Sequence, residues 1–79
     1  MNASEEVTVL LCAFRYTIGR RGYPIRDIAE ILISRWGIIP HYTRKLIVDE
    51  IISAIDKNKA GSNHDEDQWM RVVKHDDKE

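Results

Sequence analysis

This chain of 79 residues has a single cysteine, no long apolar run and no strong excess of charge of either sign. Its one cysteine, Cys12, excludes an internal disulfide, and with histidines scattered at His41, His64 and His75 it forms no zinc-ligand pattern. We therefore expect a reducing, intracellular environment and predict no metal and no cofactor. No apolar run approaches the roughly 20 residues that cross a bilayer, and the amino terminus lacks the basic start of a signal peptide. The sequence predicts a cytoplasmic protein with no membrane partner.

Patterns that carry catalysis are also missing. The chain has no glycine-rich phosphate loop, no nucleophile elbow and no calcium loop of alternating acidic side chains. A substrate pocket of roughly 300 Å³ or more is hard to enclose in so small a domain. We therefore predict no catalytic residue and expect the protein to act by binding.

The net charge of −1 conceals an uneven distribution along the chain. Residues 1–45 carry seven basic and four acidic side chains, whereas residues 46–79 carry five basic and nine acidic ones. A general DNA-binding protein usually has an excess of positive charge. The two halves of opposite sign therefore favour a local basic contact surface over an all-basic nucleic-acid binder.

Apolar residues recur every three or four positions in three segments, which predicts an all-α fold with three main helices. These helices are expected over about residues 5–18 and 24–36, and from Pro40 to near residue 60. Ser4 is expected to cap the first helix, because its side chain can accept a hydrogen bond from a free backbone amide. We expect the three helices to pack together as a compact bundle in a single domain.

The last quarter of the chain, residues 61–79, divides into three segments. Residues 61–68 are polar and acidic and predict a loop, and residues 75–79 predict a disordered tail. Between them, residues 69–74 predict a short terminal helix, with a strand as the alternative. Trp69 on this element is either a plug over the core or an interface anchor, whereas Trp36 at the end of an apolar helix is expected in the core. Cys12, next to Leu11, is expected in or near the core.

Isoleucine is unusually frequent, with eleven residues in 79. A tight core is one explanation for this surplus. The other is that part of it faces a second copy of the chain, which would make the protein a homodimer.

The most unusual segment surrounds the turn between the first two predicted helices, where two adjacent arginines stand between two glycines. Arginine grips carboxylate or phosphate with two hydrogen bonds, and tyrosine can stack on a base or fill a pocket. Cations near a helix carboxyl end are also favourable in any protein by about 0.3–1 kcal/mol, and Arg15 has Asp27 and Glu30 as potential partners. The candidate partner-binding residues are Arg15, Tyr16, Arg20, Arg21, Tyr23 and Arg26.

Two patterns carry a resemblance to known proteins. They are Phe14-Arg15-Tyr16-x-x-Gly19-Arg20-Arg21-x-Tyr23 and Thr43-Arg44-Lys45-Leu46-Ile47-x-x-Glu50-Ile51. With these patterns, about residues 10–55 resemble small uncharacterised proteins of bacteriophages and mobile elements. Proteins of that type are often accessory factors, and some, such as anti-CRISPR proteins, bind and block a host defence complex.

The resemblance implies an inhibitor in the bacterial host cell whose partner is a host protein or a ribonucleoprotein complex. The alternative from the residues themselves is a module that binds nucleic acid or sequesters a small nucleotide through the arginine-rich turn.

Overall fold

The computed structural model describes residues 2–78, and within that range every regular element is helical, which confirms the all-α prediction. Four α-helices are joined by short connections, with one turn of 3₁₀ helix at Trp36–Ile38 between the second and the third. The helices are α1 (Ala3–Thr17), α2 (Ile25–Ser34), α3 (His41–Asp56) and α4 (Asn63–Lys78).

The start of α1 differs from the prediction. Ser4 lies inside the helix, and Asn2 is the cap, since its side-chain oxygen accepts a hydrogen bond of 2.9 Å from the backbone amide of Glu5. Asparagine and serine are comparable caps, so the sequence alone offered two equivalent starts. Pro24 and Pro40 lie one position before the starts predicted for them: they are the N-caps of α2 and α3, which begin at Ile25 and His41.

The carboxyl-terminal helix is the main correction. The acidic segment 61–68 was predicted to be a loop, yet α4 begins at Asn63 and is as long as α3, with 16 residues. The backbone amide of Ser62 donates to the Asp65 carboxylate (3.1 Å), and the amide of Asp65 donates to the Ser62 hydroxyl (3.3 Å). This reciprocal pair is a capping box, which turns an apparently loop-like polar stretch into a helix start.

Residues 75–78 were predicted to be disordered and belong to α4 instead. The indole nitrogen of Trp36 donates a hydrogen bond of 3.1 Å to the Asp76 carboxylate, and the His75 ring lies 6.5 Å from the Trp36 ring. The carboxyl end of α4 is thereby tied to the core, and Glu79 alone of the predicted tail lies outside the described residues.

The core lies where α4 packs against α2 and α3 and α1 packs against α2. Trp69 is fully buried in it, with its ring perpendicular to that of Phe14 at 5.3 Å, so of its two predicted roles the structure favours the plug in the core over the interface anchor. Trp36 is also fully buried, as predicted. The other largest buried side chains are Ile25, Leu32, Ile39, Ile47, Ile51 and Val72.

The isoleucine surplus is largely absorbed by this core. Eight of the eleven isoleucines are buried or partly buried. The exposed three are Ile31, Ile38 and Ile52, at 41–44% of their full accessibility. A tight core therefore accounts for most of the surplus, and self-association stays a prediction based on three side chains.

Three further observations concern the cysteine, potential metal ligands and membrane-spanning helices. Cys12 is exposed, so its predicted place in or near the core is wrong. Within residues 2–78, no three potential metal-ligating side chains lie close enough together to hold an ion. No helix in the same range combines the length and the apolar character needed to cross a membrane.

Candidate anion-binding groove

Two connections, the α1–α2 turn and the α3–α4 segment, meet at one end of the bundle. Gly19 has a left-handed φ of 79°, and a β-carbon at this position would lie 3.0 Å from the backbone oxygen of Lys59. On the other side, the Lys59 amide donates a 2.8 Å hydrogen bond to the Ala54 carbonyl and closes α3, and Asn58 adopts a φ of 55°. The buried Ala60 anchors the segment in the core. The close approach at Gly19 brings two distant stretches of sequence together.

A groove of about 770 Å³ lies at this junction. Its lining includes one carboxylate, Glu50, and five cations, which give a formal charge of +4. The carboxyl ends of α1 and α3 also reach the groove, and each contributes roughly −0.5 of an elementary charge, so a charge of about +3 remains. The cations are Arg15, Arg20, Arg21, Lys57 and Lys59.

Arg15 is paired across the groove. Its Nε lies 3.5 Å from the Glu50 carboxylate, so α3 supplies the partner rather than Asp27 or Glu30 of α2. Both side chains are about half or one-third exposed, and exposed pairs of this kind contribute only about 0–1 kcal/mol to stability. The pair neutralises one groove cation and connects α1 to α3.

Arg20 is held against the end of α1. Its guanidinium donates to the backbone oxygens of Arg15 (3.4 Å) and Tyr16, and it lies 4.6 Å above the centre of the Tyr16 ring. Carbonyls in the last turn of a helix lack backbone partners, and a cation there satisfies them and opposes the negative end of the dipole. Arg20 therefore acts mainly as a helix cap.

Tyr16 and Tyr23 contact each other. Their rings are perpendicular at 5.2 Å, and their hydroxyls share a hydrogen bond of 3.2 Å. This hydrogen bond raises the pKa of the Tyr23 phenol above its ordinary value. The pair fastens the end of α1 to the start of α2, and with Arg20 over Tyr16 the tyrosines are engaged within the protein.

Arg26 lies on α2 and does not line the groove. Its Nε lies 3.3 Å from the Glu30 carboxylate, one helical turn further on. Arg71 of α4 lies 3.7 Å from the same carboxylate. The structure therefore separates Arg26 from the arginines of the turn, although all of them are close in sequence.

Arg21, Lys57 and Lys59 are the free cations of the groove. All three are exposed, and none has a hydrogen bond or an ion pair from its side chain within residues 2–78. Sequence reasoning selected Arg21 but missed both lysines as site residues. Their position near the negative end of α3 was visible, but their proximity to the arginine turn depends on the contact at Gly19.

No protein-family model, no curated protein and no solved structure matches this chain. The chemistry of the groove is therefore what indicates a function. That chemistry consists of three unpaired cations, a capped helix end and a floor of partly buried apolar side chains, Ile18 and Ala54.

Proposed function

We propose that this protein is a non-catalytic binding protein whose groove engages an anionic partner, and that it acts as a phage-type inhibitor of a bacterial defence complex. The observation that carries the binding part is the set of three unpaired cations, Arg21, Lys57 and Lys59, on one groove. Arg15 contacts a carboxylate and Arg20 contacts helix-end carbonyls, whereas these three side chains have no partner within residues 2–78 and are available to a ligand.

Electrostatics support a docking role for this surface. A concave surface with one sign of charge concentrates ligands of the opposite sign and accelerates their association. The chain has a net charge of −1, so the groove charge is local and directs a partner to one end of the bundle. Arg21 adds a planar fork that can donate two parallel hydrogen bonds to an anion.

The inhibitor role comes from the resemblance to phage and mobile-element proteins, whose first pattern contains the arginine turn of the groove. A host protein or a ribonucleoprotein complex in the bacterial cytoplasm is the proposed partner. Inhibition then follows either by occupying a surface of the complex or by removing a ligand that the complex needs.

The test compares two variants with equal changes in charge. One carries Arg21→Gln, Lys57→Gln and Lys59→Gln in the groove, and the matched control carries Lys45→Gln, Lys74→Gln and Lys78→Gln outside it. Each protein is produced in bacterial strains that each hold one defence system, and phage plating efficiency is measured.

Wild-type protein and the control should restore plating in at least one strain, and the groove variant should not. Equal plating with both variants would remove the groove from the proposal. Failure of the wild-type protein to restore plating in any strain would overturn the inhibitor role.

Self-association is a separate part of this proposal and rests on the exposed Ile31, Ile38 and Ile52. Sedimentation equilibrium at micromolar concentration should then give a multiple of the monomer mass of 9.2 kDa. A monomer at all accessible concentrations would exclude the homodimer.

A further inference from the structure

We infer that the groove binds a compact, phosphate-bearing ligand of nucleotide size, with its phosphates on Arg21, Lys57 and Lys59 and its ring over Ile18 and Ala54. This inference deepens the proposed function and rests on the groove being the contact site. It names the chemistry of the anion, which the inhibitor proposal leaves open.

Charge is the first argument for phosphate. A single carboxylate carries one negative charge and would leave most of the charge of about +3 uncompensated. A terminal phosphate carries about −1.5 to −2 at neutral pH and offers three strong acceptor oxygens, so a diphosphate comes close to balancing the groove. Arginine binds such a group through its fork, and lysine binds it as a point charge.

The boundaries of the groove argue for a short ligand. Its volume of about 770 Å³ lies within the range of small-molecule sites. Gly61 belongs to the lining, and the Asp65 carboxylate of the acidic first turn of α4 lies directly against it. A long polyanion laid along this side of the groove would meet this carboxylate, whereas a compact ligand can bind to the three cations without extending to it.

The floor of the groove argues for a ring beside the phosphates. Ile18 and Ala54 are partly buried apolar residues of the lining, which also includes the polar residues Ser53 and Asn58. Small-molecule sites commonly combine an apolar surface with a few polar groups, and such a surface suits a flat heterocycle. Tyr16 is less suited to stacking, because the Arg20 guanidinium already covers one of its faces.

The test is isothermal titration with three probes at constant ionic strength: ADP, pyrophosphate and citrate. Citrate supplies comparable negative charge from carboxylates. ADP should bind to the wild-type protein at least tenfold more tightly than pyrophosphate, and citrate more weakly than both. The groove variant should lose at least tenfold in ADP affinity, while the matched control variant keeps it.

Several results would overturn the inference. If citrate bound as tightly as pyrophosphate, the groove would respond to negative charge alone. If ADP bound no more tightly than pyrophosphate, the ring would gain nothing from Ile18 and Ala54. An oligonucleotide that binds far more tightly than ADP would show that the groove tracks a long strand.

The two proposals fail separately. If neither ADP nor pyrophosphate binds at millimolar concentration while phage plating still depends on the groove, this inference fails and the proposed function stands. If ADP binds through the groove but plating is the same for wild type and groove variant, the inhibitor role fails and the phosphate site stands.

Discussion

The two buried tryptophans differ in the hydrogen bonding of their indole nitrogens, and this difference predicts unequal effects of the same substitution. The indole nitrogen of Trp36 donates to Asp76 at 3.1 Å, whereas the buried indole nitrogen of Trp69 has no hydrogen-bond partner within residues 2–78. Trp36→Phe therefore removes a hydrogen bond to a carboxylate, and Trp69→Phe removes a donor that satisfies no acceptor. Both changes take the same volume from a fully buried site, so each serves as the control for the other.

The expected loss of stability depends on the hydrogen-bond acceptor, which is the Asp76 carboxylate. A hydrogen bond to a charged group contributes about 1.5–3 kcal/mol to stability. Because Asp76 is only partly buried, water can replace the indole on its carboxylate, which places the expected loss near the lower end, at about 1.5 kcal/mol. For a domain of this size, such a difference in the free energy of unfolding corresponds to roughly 6–12 °C in Tm.

The measurement is urea denaturation of both variants followed by far-ultraviolet circular dichroism. Trp36→Phe should be less stable than Trp69→Phe by about 1.5 kcal/mol, and a double-mutant cycle with Asp76→Ala should recover a coupling energy of similar size. The cycle removes the contribution of the Arg44 guanidinium, 5.9 Å from the Trp36 ring, because that contact is common to both pairs. Equal stability of the two phenylalanine variants, or no coupling to Asp76, would refute the attachment of the end of α4.

Three further predictions concern the groove end of the bundle. Arg20→Ala should lower the free energy of unfolding by about 1 kcal/mol because it removes a helix cap, whereas Arg21→Ala should change it by less than about 0.5 kcal/mol; thermal melts compare them directly. Gly19→Ala should cost about 1–2 kcal/mol because it forces a β-carbon into a left-handed residue that touches the Lys59 carbonyl, and wild-type stability in chemical denaturation would contradict this. Ser62→Ala should cost about 1 kcal/mol and increase amide hydrogen exchange in the first turn of α4, and unchanged exchange would disprove the capping box.

The first three helices were predictable because their apolar residues follow the helical period and Pro24 and Pro40 mark two of their starts. The predicted ends of the second and third helices are too late, since α2 ends at Ser34 and α3 at Asp56, before the glycines that were expected to close them. The length of α4 was missed because its apolar residues are few and clustered around Trp69, so periodicity gave no signal at its ends. One local signal was present: the spacing of Ser62 and Asp65 is that of a capping box. The hydrogen bond from Trp36 to Asp76 is a tertiary contact and could not be inferred from the tail itself.

The groove was predictable in part. Two arginines between two glycines indicated a basic turn, and Arg15 and Arg21 do line the groove with Arg20. The lysines of the α3–α4 segment carried no comparable signal, because lysine near a helix carboxyl end is common. Whether Lys57 and Lys59 line the groove depends on the path of the chain after α3.

Arg20 and Arg21 are chemically identical neighbours, and only their contacts distinguish them. Arg20 already donates to carbonyls and covers a tyrosine, so a ligand would have to displace these interactions before it could use the guanidinium. Arg21 has no such contacts within residues 2–78, so a ligand can bind its guanidinium without displacing an interaction that stabilises the fold. A double substitution of both arginines would mix loss of a helix cap with loss of a ligand contact. Variants of Arg21 with Lys57 and Lys59 leave the contacts of Arg20 intact, so binding should change while each lysine lost near the end of α3 costs only about 0.3–1 kcal/mol of stability.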